Sequence, residues 1–173
     1  MNNRRMLTRF ASLLLALFAA GAVTAQAAKI SGTVSTTTVI TEDSQLVGDV
    51  TCNVSGATCI SVGASHVTLD LNGFAVTGLG DAQTGCSGAS TAGEIGIDIN
   101  GQTSVVIRGP GLVQRFRNQG IRLNGGSGNT VTGVTVSTNC LSGIFVTGGS
   151  ADNQLDRNVS VRNGNLNNPC GGI

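Results

Sequence analysis

The sequence predicts an all-β fold, a parallel β-helix, and three observations support this prediction. A short phrase returns along the chain, as GIDING at Gly96, GIRLNG at Gly120 and GIFVTG at Gly143, with a bare GI at Gly172. After residue 27, short runs of alternating apolar and polar residues lie between Gly and Asn turns, without any helical period. The same part of the chain has no Trp, Tyr or Met, so Val, Ile and Leu must form most of the core.

The first 27 residues are predicted to be a secretory signal peptide. Three arginines precede an apolar run from residue 10 to residue 23, and the small-residue motif AQA ends at Ala27. That run is short for a retained membrane span. Cleavage leaves seven basic residues against nine acidic ones, so we expect no nucleic-acid partner and no remaining membrane span. The predicted location is the periplasm or the cell exterior.

The remaining chain is about one domain long. Residues 28–58 are predicted to form an N-terminal capping segment with the first strands, and residues 59–173 to form the β-helix repeats in about four to five coils. A β-sandwich is the alternative, but its strands need not repeat at a fixed period, whereas a solenoid stacks equivalent side chains. Parallel crossovers are right-handed in nearly every known case, so the coils should be right-handed.

Alignment of the repeats predicts which side chains stack inside the coils. One inward row contains Ile60, Ile97, Ile121, Ile144 and Ile173. A second inward row contains Val62, Ile99, Leu123 and Val146. Left-handed backbone angles are expected at a row of turn glycines, namely Gly63, Gly101, Gly125 and Gly148. Asn129 and Asn153 should open equivalent strands, where Asn tolerates the left-handed conformation and its amide can hydrogen-bond along the stack.

The same register places charged side chains on the outer surface. The outward row of the first strand contains Ser61, Asp98, Arg122 and Phe145, and that of the second strand contains Asp70, Arg108, Thr132 and Asp156. We therefore expect ion pairs between Asp98 and Arg122 and between Asp70 and Arg108. Exposed pairs of this kind contribute less than about 1 kcal/mol, so a structural role is the simpler interpretation.

The segment VTLDLNGFAVTG at residues 67–78 is followed by an insertion and then by the GI repeats. In this order the chain resembles the exported bacterial right-handed β-helix repeat proteins of the pectate-lyase-like superfamily, from about residue 35 onward. That superfamily includes lyases, hydrolases, epimerases and members without known activity, so the resemblance implies a fold more than a function. Resemblance to its lyases would give Asp98 a role in holding calcium and Arg122 the role of the base.

Two functions remain open on the sequence alone. The first is a binding or structural module of the cell envelope or exterior, with a polysaccharide or an envelope protein as partner. The second is a lyase or epimerase acting on an acidic glycan, or an inactive fragment of one, and only this function requires calcium as a cofactor. Each acid has one arginine and no second acid beside it, which favours the module.

Three further residues are candidates for ligand contacts. Asp81 and Glu94 belong to the predicted insertion loop of residues 79–94, and long loops often carry function. Phe145 is the aromatic residue of the outward row. His66 precedes the VTLDLNG strand and is interpreted as a turn residue.

The five cysteines predict disulfides, since an exported protein is oxidised. Cys52 and Cys59 are predicted to pair because they are close in sequence. Cys86 and Cys140 both precede a GI phrase and could form a second pair, which leaves Cys170 over. The spacings match no zinc motif, so no metal site is predicted.

The chain stops inside a repeat, at Ile173. This position and the odd cysteine predict a truncated product or a fragment. An open last coil would also leave unpaired strand edges, through which end-to-end self-association is possible.

Overall fold

The computed structural model describes residues 26–80, 86, 93–164 and 172–173, and this part of the chain contains strands and turns but no helix. Nearly all of the predicted signal peptide lies outside the described residues. Within them, no helix has the length and apolar character needed to cross a membrane.

The described residues form fifteen short strands. Their bounds are β1 (Ala28–Val34), β2 (Thr38–Ile40), β3 (Ser44–Cys52), β4 (Ile60–Val62), β5 (Thr68–Asp70), β6 (Ala75–Thr77), β7 (Ile97–Asn100), β8 (Val106–Arg108), β9 (Leu112–Gln114), β10 (Ile121–Asn124), β11 (Thr130–Thr132), β12 (Thr135–Ser137), β13 (Ile144–Thr147), β14 (Gln154–Asp156) and β15 (Val159–Val161).

These strands pair in parallel and build three stacked rows. The first row is a five-stranded sheet in the order β2, β4, β7, β10, β13. The second row, β5, β8, β11, β14, starts from one end of the long strand β3, and the third row, β6, β9, β12, β15, starts from its other end. Strand β1 lies on the opposite edge of β3. The chain therefore rises in tiers of three strands, and its curled parallel sheets are consistent with a β-solenoid.

The predicted register of the inward side chains is confirmed where strands are described. Ile60, Ile97, Ile121 and Ile144 are paired in that order, and all four are buried. The second row is buried in the same way until the last tier, where Val146 is 41 % exposed. Each inner tier is covered by the strands of the next tier. No described strand lies above the last tier, so Val146 is not covered in this way.

The turns confirm part of the prediction and correct another part. Gly101, Gly125 and Gly148 have φ values between 66° and 75°, in the left-handed region. Gly63 does not have a left-handed φ. A Cβ at this position would lie 2.7 Å from Val39 Cγ1, so glycine is needed here because the Val39 side chain packs closely against the backbone. His66 is a turn residue, as predicted, with φ of 61°.

The predicted left-handed conformation at Asn129 and Asn153 is wrong. The residues one position earlier, Gly128 and Asp152, adopt it instead, with φ values of 65° and 52°. This shift by one residue frees both asparagines to begin the strand region with ordinary backbone angles.

Asparagine side chains connect one tier to the next, as predicted for Asn129. Its Oδ1 accepts the N–H of Val105 at 2.9 Å, and its Nδ2 donates to the carbonyl of Gln102 at 3.0 Å. The N–H of Asn129 in turn donates to Oδ1 of Asn153. The same two-bond pattern recurs at Asn139, Asn158 and Asn163. These bonds satisfy backbone groups at the corners, where the strand ladders are interrupted.

Both predicted disulfides are present, Cys52–Cys59 and Cys86–Cys140. Their Cα–Cα distances of 5.8 Å and 5.7 Å are ordinary for such bonds. Disulfides are typical of proteins in oxidising compartments outside the cytoplasm. Cys170 lies outside the described residues.

Candidate binding face

The outer side of the five-stranded sheet gathers the polar and aromatic side chains that the sequence places in the outward row. Strands β7, β10 and β13 supply Asp98, Arg122 and Phe145 in direct register. Two positions later on the same strands, a second row follows. We define the candidate face by six residues, Asp98, Asn100, Arg122, Asn124, Phe145 and Thr147.

Asp98 and Arg122 form a two-point ion pair, which confirms the predicted pairing. Arg122 Nε donates to Asp98 Oδ1 at 2.9 Å, and Arg122 Nη2 donates to Oδ2 at 2.6 Å. The Asp98 side chain is only 7 % exposed, whereas that of Arg122 is 27 % exposed. The carboxylate is thus covered and neutralised, while part of the guanidinium still faces solvent.

The pKa of Arg122 is raised, chiefly by the hydrogen bonds to Asp98, although partial burial acts in the opposite direction. The stabilisation from this shift is complete below the unfolded-state pKa and disappears only as pH rises through the higher folded-state pKa. Both values are strongly basic, so Arg122 stays protonated at physiological pH. A protonated guanidinium cannot act as the base that a lyase requires.

The guanidinium of Arg122 retains donors for an external group. It carries five N–H donors, and the two hydrogen bonds to Asp98 use two of them. Such donors recognise hydroxyl and carboxylate oxygens with defined geometry. The pair therefore suits recognition of a polar ligand better than proton transfer.

Phe145 and two amides complete the face. The Phe145 side chain lies next to Arg122 on the neighbouring strand and is 38 % exposed. Asn124 Nδ2 donates to Asn100 Oδ1 at 3.1 Å, so these amides form a ladder along the sheet. An apolar ring with fixed hydrogen-bonding groups beside it is a usual composition for a small polar binding site.

Glu94, a predicted ligand contact, has both carboxylate oxygens engaged within the chain. Its Oε1 accepts the N–H of Gly56 at 2.9 Å, and its Oε2 lies 3.2 Å from Arg117 Nε. The side chain is buried, and Gly56 belongs to the loop closed by the Cys52–Cys59 disulfide. Glu94 is therefore positioned to hold this loop against the next tier. Asp81 lies outside the described residues.

Asp70 forms the predicted pair with Arg108 and also supports the following turn. Asp70 Oδ2 accepts from Arg108 Nη2 at 2.8 Å and from Nε at 2.9 Å. Its Oδ1 accepts the N–H of Asn72 at 2.8 Å, and Asn72 has a left-handed φ of 49°. Both contacts are exposed, and they lie in the second row of strands, away from the candidate face.

Sequence reasoning missed three of the residues that shape these sites. Asn100 and Asn124 end the phrases GIDIN and GIRLN at the same position, and this signal was sufficient to align them. Arg117 gave no such signal, because it lies in a turn segment without an equivalent residue in the other repeats.

The described residues do not fit the calcium site that the lyase alternative requires. They contain no cluster of three or more His, Cys, Asp or Glu side chains that could hold a metal ion. In addition, Asp98 directs both oxygens to Arg122.

Comparisons of the chain with protein-family models, curated proteins and solved structures found no match.

Proposed function

We propose that the protein is an exported, right-handed parallel β-helix module that binds polysaccharide through the candidate face. In this proposal it is related to the pectate-lyase-like repeat proteins, acts in the periplasm or outside the cell, and performs no catalysis.

The observation that carries the proposal is the exposed ring of Phe145 beside the partly exposed guanidinium of Arg122. A sugar ring presents an apolar face of C–H groups and an edge of hydroxyl groups. The phenyl ring suits that face, while Arg122 and the Asn100–Asn124 ladder suit the hydroxyl edge. Because Asp98 neutralises Arg122, the face is not restricted to acidic glycans.

The enzyme alternative has less support. Its base would be Arg122, which the ion pair keeps protonated, and its calcium ligand would be Asp98, whose oxygens are already occupied. The two residues are better explained as a fixed binding group. Asp98 holds the Arg122 guanidinium in position, and the remaining N–H donors of Arg122 are available to a ligand.

The proposal is tested by titrating the purified chain with polygalacturonate, alginate and neutral xylan and glucan oligosaccharides, with calorimetry as the readout. At least one of these glycans should bind. Phe145→Ala should weaken that binding about fivefold to tenfold, since one aromatic contact contributes roughly 1 kcal/mol.

Val47→Ala is the matched control, because Val47 is an exposed apolar side chain on β3, outside the candidate face. Equal weakening by both substitutions, or no binding to any of the glycans, would contradict the proposal. Calcium-dependent appearance of an unsaturated, ultraviolet-absorbing product from polygalacturonate or alginate would favour the lyase instead.

A further inference from the structure

We propose that Asn100 and Asn124 are the sites at which the folded protein undergoes spontaneous deamidation, a covalent modification that adds negative charge to the candidate face. The inference rests on how the fold holds the amide of each asparagine that precedes a glycine.

The chain contains four Asn-Gly steps, which are Asn72–Gly73, Asn100–Gly101, Asn124–Gly125 and Asn163–Gly164. Glycine has no side chain, so its backbone nitrogen is free of steric protection and can approach the preceding amide. Each step is therefore a chemically competent deamidation site in the unfolded chain.

The reaction consumes only water. The backbone nitrogen of the glycine gives up its proton and attacks Cγ of the asparagine. The new N–Cγ bond closes a succinimide ring, the Cγ–Nδ2 bond breaks, and Nδ2 leaves with that proton as ammonia. Water then adds to either ring carbonyl and opens the ring, which produces aspartate or isoaspartate. No electron is transferred.

Folding engages the attacking nitrogen at every one of these steps. Each glycine N–H donates to a carbonyl of another tier, namely Gly73 to Pro110, Gly101 to Asn124, Gly125 to Thr147 and Gly164 to Asn139. This bond must open before the nitrogen can attack, so all four steps should react more slowly in the folded chain. The glycine bonds alone do not distinguish the steps.

The side-chain amides do distinguish them, because two amides are tied to the backbone. Asn72 Nδ2 donates to the carbonyl of Leu46 at 3.0 Å. Asn163 is held at both ends of its amide, since Oδ1 accepts the N–H of Asn139 and Nδ2 donates to the carbonyl of Val136, each at 3.0 Å. These amides must break further bonds before Cγ can rotate towards the glycine nitrogen.

The two amides of the candidate face are held less firmly. Asn124 Nδ2 donates to Asn100 Oδ1 at 3.1 Å, and this contact is exposed. Within the part of the chain that the structure describes, neither amide bonds to a backbone group. Water can replace an exposed amide contact at little cost, so Asn100 and Asn124 rotate more readily than Asn72 or Asn163.

Deamidation at either position changes the charge of the face. Asp98 and Arg122 are paired, and the other four residues of the face are uncharged. A carboxylate at position 100 or 124 therefore has no compensating cation, and it replaces a donor amide by a group that only accepts hydrogen bonds. The effect on binding rests on the proposed function: acidic glycans should be repelled, whereas neutral glycans should retain most of their affinity.

The test incubates the purified chain at mildly alkaline pH, folded in buffer and unfolded in urea, and quantifies each Asn-Gly peptide by mass spectrometry. In urea the four steps should react at similar rates, since each asparagine precedes a glycine. The folded-to-unfolded rate ratio then measures protection at each step. Protection at Asn72 should exceed that at Asn100 and Asn124 by about tenfold, the rate equivalent of one additional hydrogen bond.

The control is the double variant Asn100→Gln, Asn124→Gln, which keeps an amide at both positions but must close a larger ring. Isoelectric focusing should show acidic species accumulating in the folded unmodified chain and not in the folded double variant, with circular dichroism confirming the fold. Equal protection at Asn72 and at the face, or the same acidic species in both proteins, would overturn the proposal.

Asn124→Asp separates this proposal from the proposed function. It should weaken binding of polygalacturonate or alginate by about tenfold and change binding of neutral xylan little, measured by calorimetry. If the unmodified chain binds no glycan, the proposed function fails, while the peptide analysis still decides where deamidation occurs.

Discussion

Asn129 shows how a single side chain replaces a missing piece of sheet. The residue is fully buried, and its amide bonds to one N–H and one carbonyl of the preceding tier. These backbone groups lie at a corner, where the strand ladders cannot pair them. A short side chain with both a donor and an acceptor is what this position requires, and Asn is among the few residues that provide it.

Asn129→Ala should lower the free energy of unfolding by about 2–4 kcal/mol. The substitution leaves the N–H of Val105 and the carbonyl of Gln102 without their partner, and each buried, unsatisfied group costs about 1–3 kcal/mol. Urea unfolding followed by circular dichroism measures the change. Asn124→Ala, which removes only an exposed amide contact, should cost less than about 1 kcal/mol. Equal losses in both variants would refute the role assigned to Asn129.

The direction of residue side chains could be predicted from sequence, but their burial could not. Alternation within IDIN places Asp98 on the outward side, and the repeat places Arg122 beside it. The burial of Glu94 involves Gly56 and Arg117, which lie outside the repeated strands. Such segments have no period, so the sequence contains no signal for what covers them.

Strands of three or four residues are too short to be stable alone, and the stack compensates because the strands of its inner tiers pair with a neighbour on both sides. Strand β5 is an example, since it lies between β3 and β8 and ends in a turn at Asn72 and Gly73. Asp70 connects these elements through Arg108 and the N–H of Asn72.

Asp70→Asn should cost less than about 1 kcal/mol of folding free energy. The amide oxygen can still accept the N–H of Asn72, and the lost ion pair is largely exposed. Asp70→Ala removes the turn bond as well and should cost more. Urea unfolding of both variants checks the order. A loss of several kcal/mol for Asp70→Asn would show that the charge itself holds the turn.

The strands of the repeats could be predicted from the sequence, whereas the individual strands of the N-terminal segment could not. The phrases at Gly96, Gly120 and Gly143 align one with another, and their strands follow from that alignment. Residues 28–52 contain no copy of the phrase. The pairing of β1 with β3 therefore depends on geometry that only the folded chain reveals.

At the scale of the molecule, the stack has one continuous aliphatic core, and each tier covers its neighbour. Ile121 is buried between Ile97 and Ile144, in the middle of this core. A defect at one tier exposes the side chains of the tiers on both sides. The central tiers should therefore be the most sensitive to substitution.

Ile121→Asp should prevent folding, because it places an unpaired charge in the apolar core. The expected result is loss of the β-sheet circular dichroism spectrum and rapid cleavage by protease. Thr135→Asp is the control, since Thr135 faces outward from the same tier. A soluble, protease-resistant Ile121→Asp variant would contradict the register of the whole stack.

The asparagine bonds have a consequence for how such a chain can change length. Each bond joins residues separated by 23 to 27 positions, so every bonded tier must contain nearly the same number of residues. Deleting one residue within a tier would misalign several of these bonds together. Ile97 pairs with Ile60 although the two residues are 37 positions apart, so the sequence between Leu79 and Glu94 adds residues without breaking the row. Length variation among homologous chains should therefore concentrate in that segment.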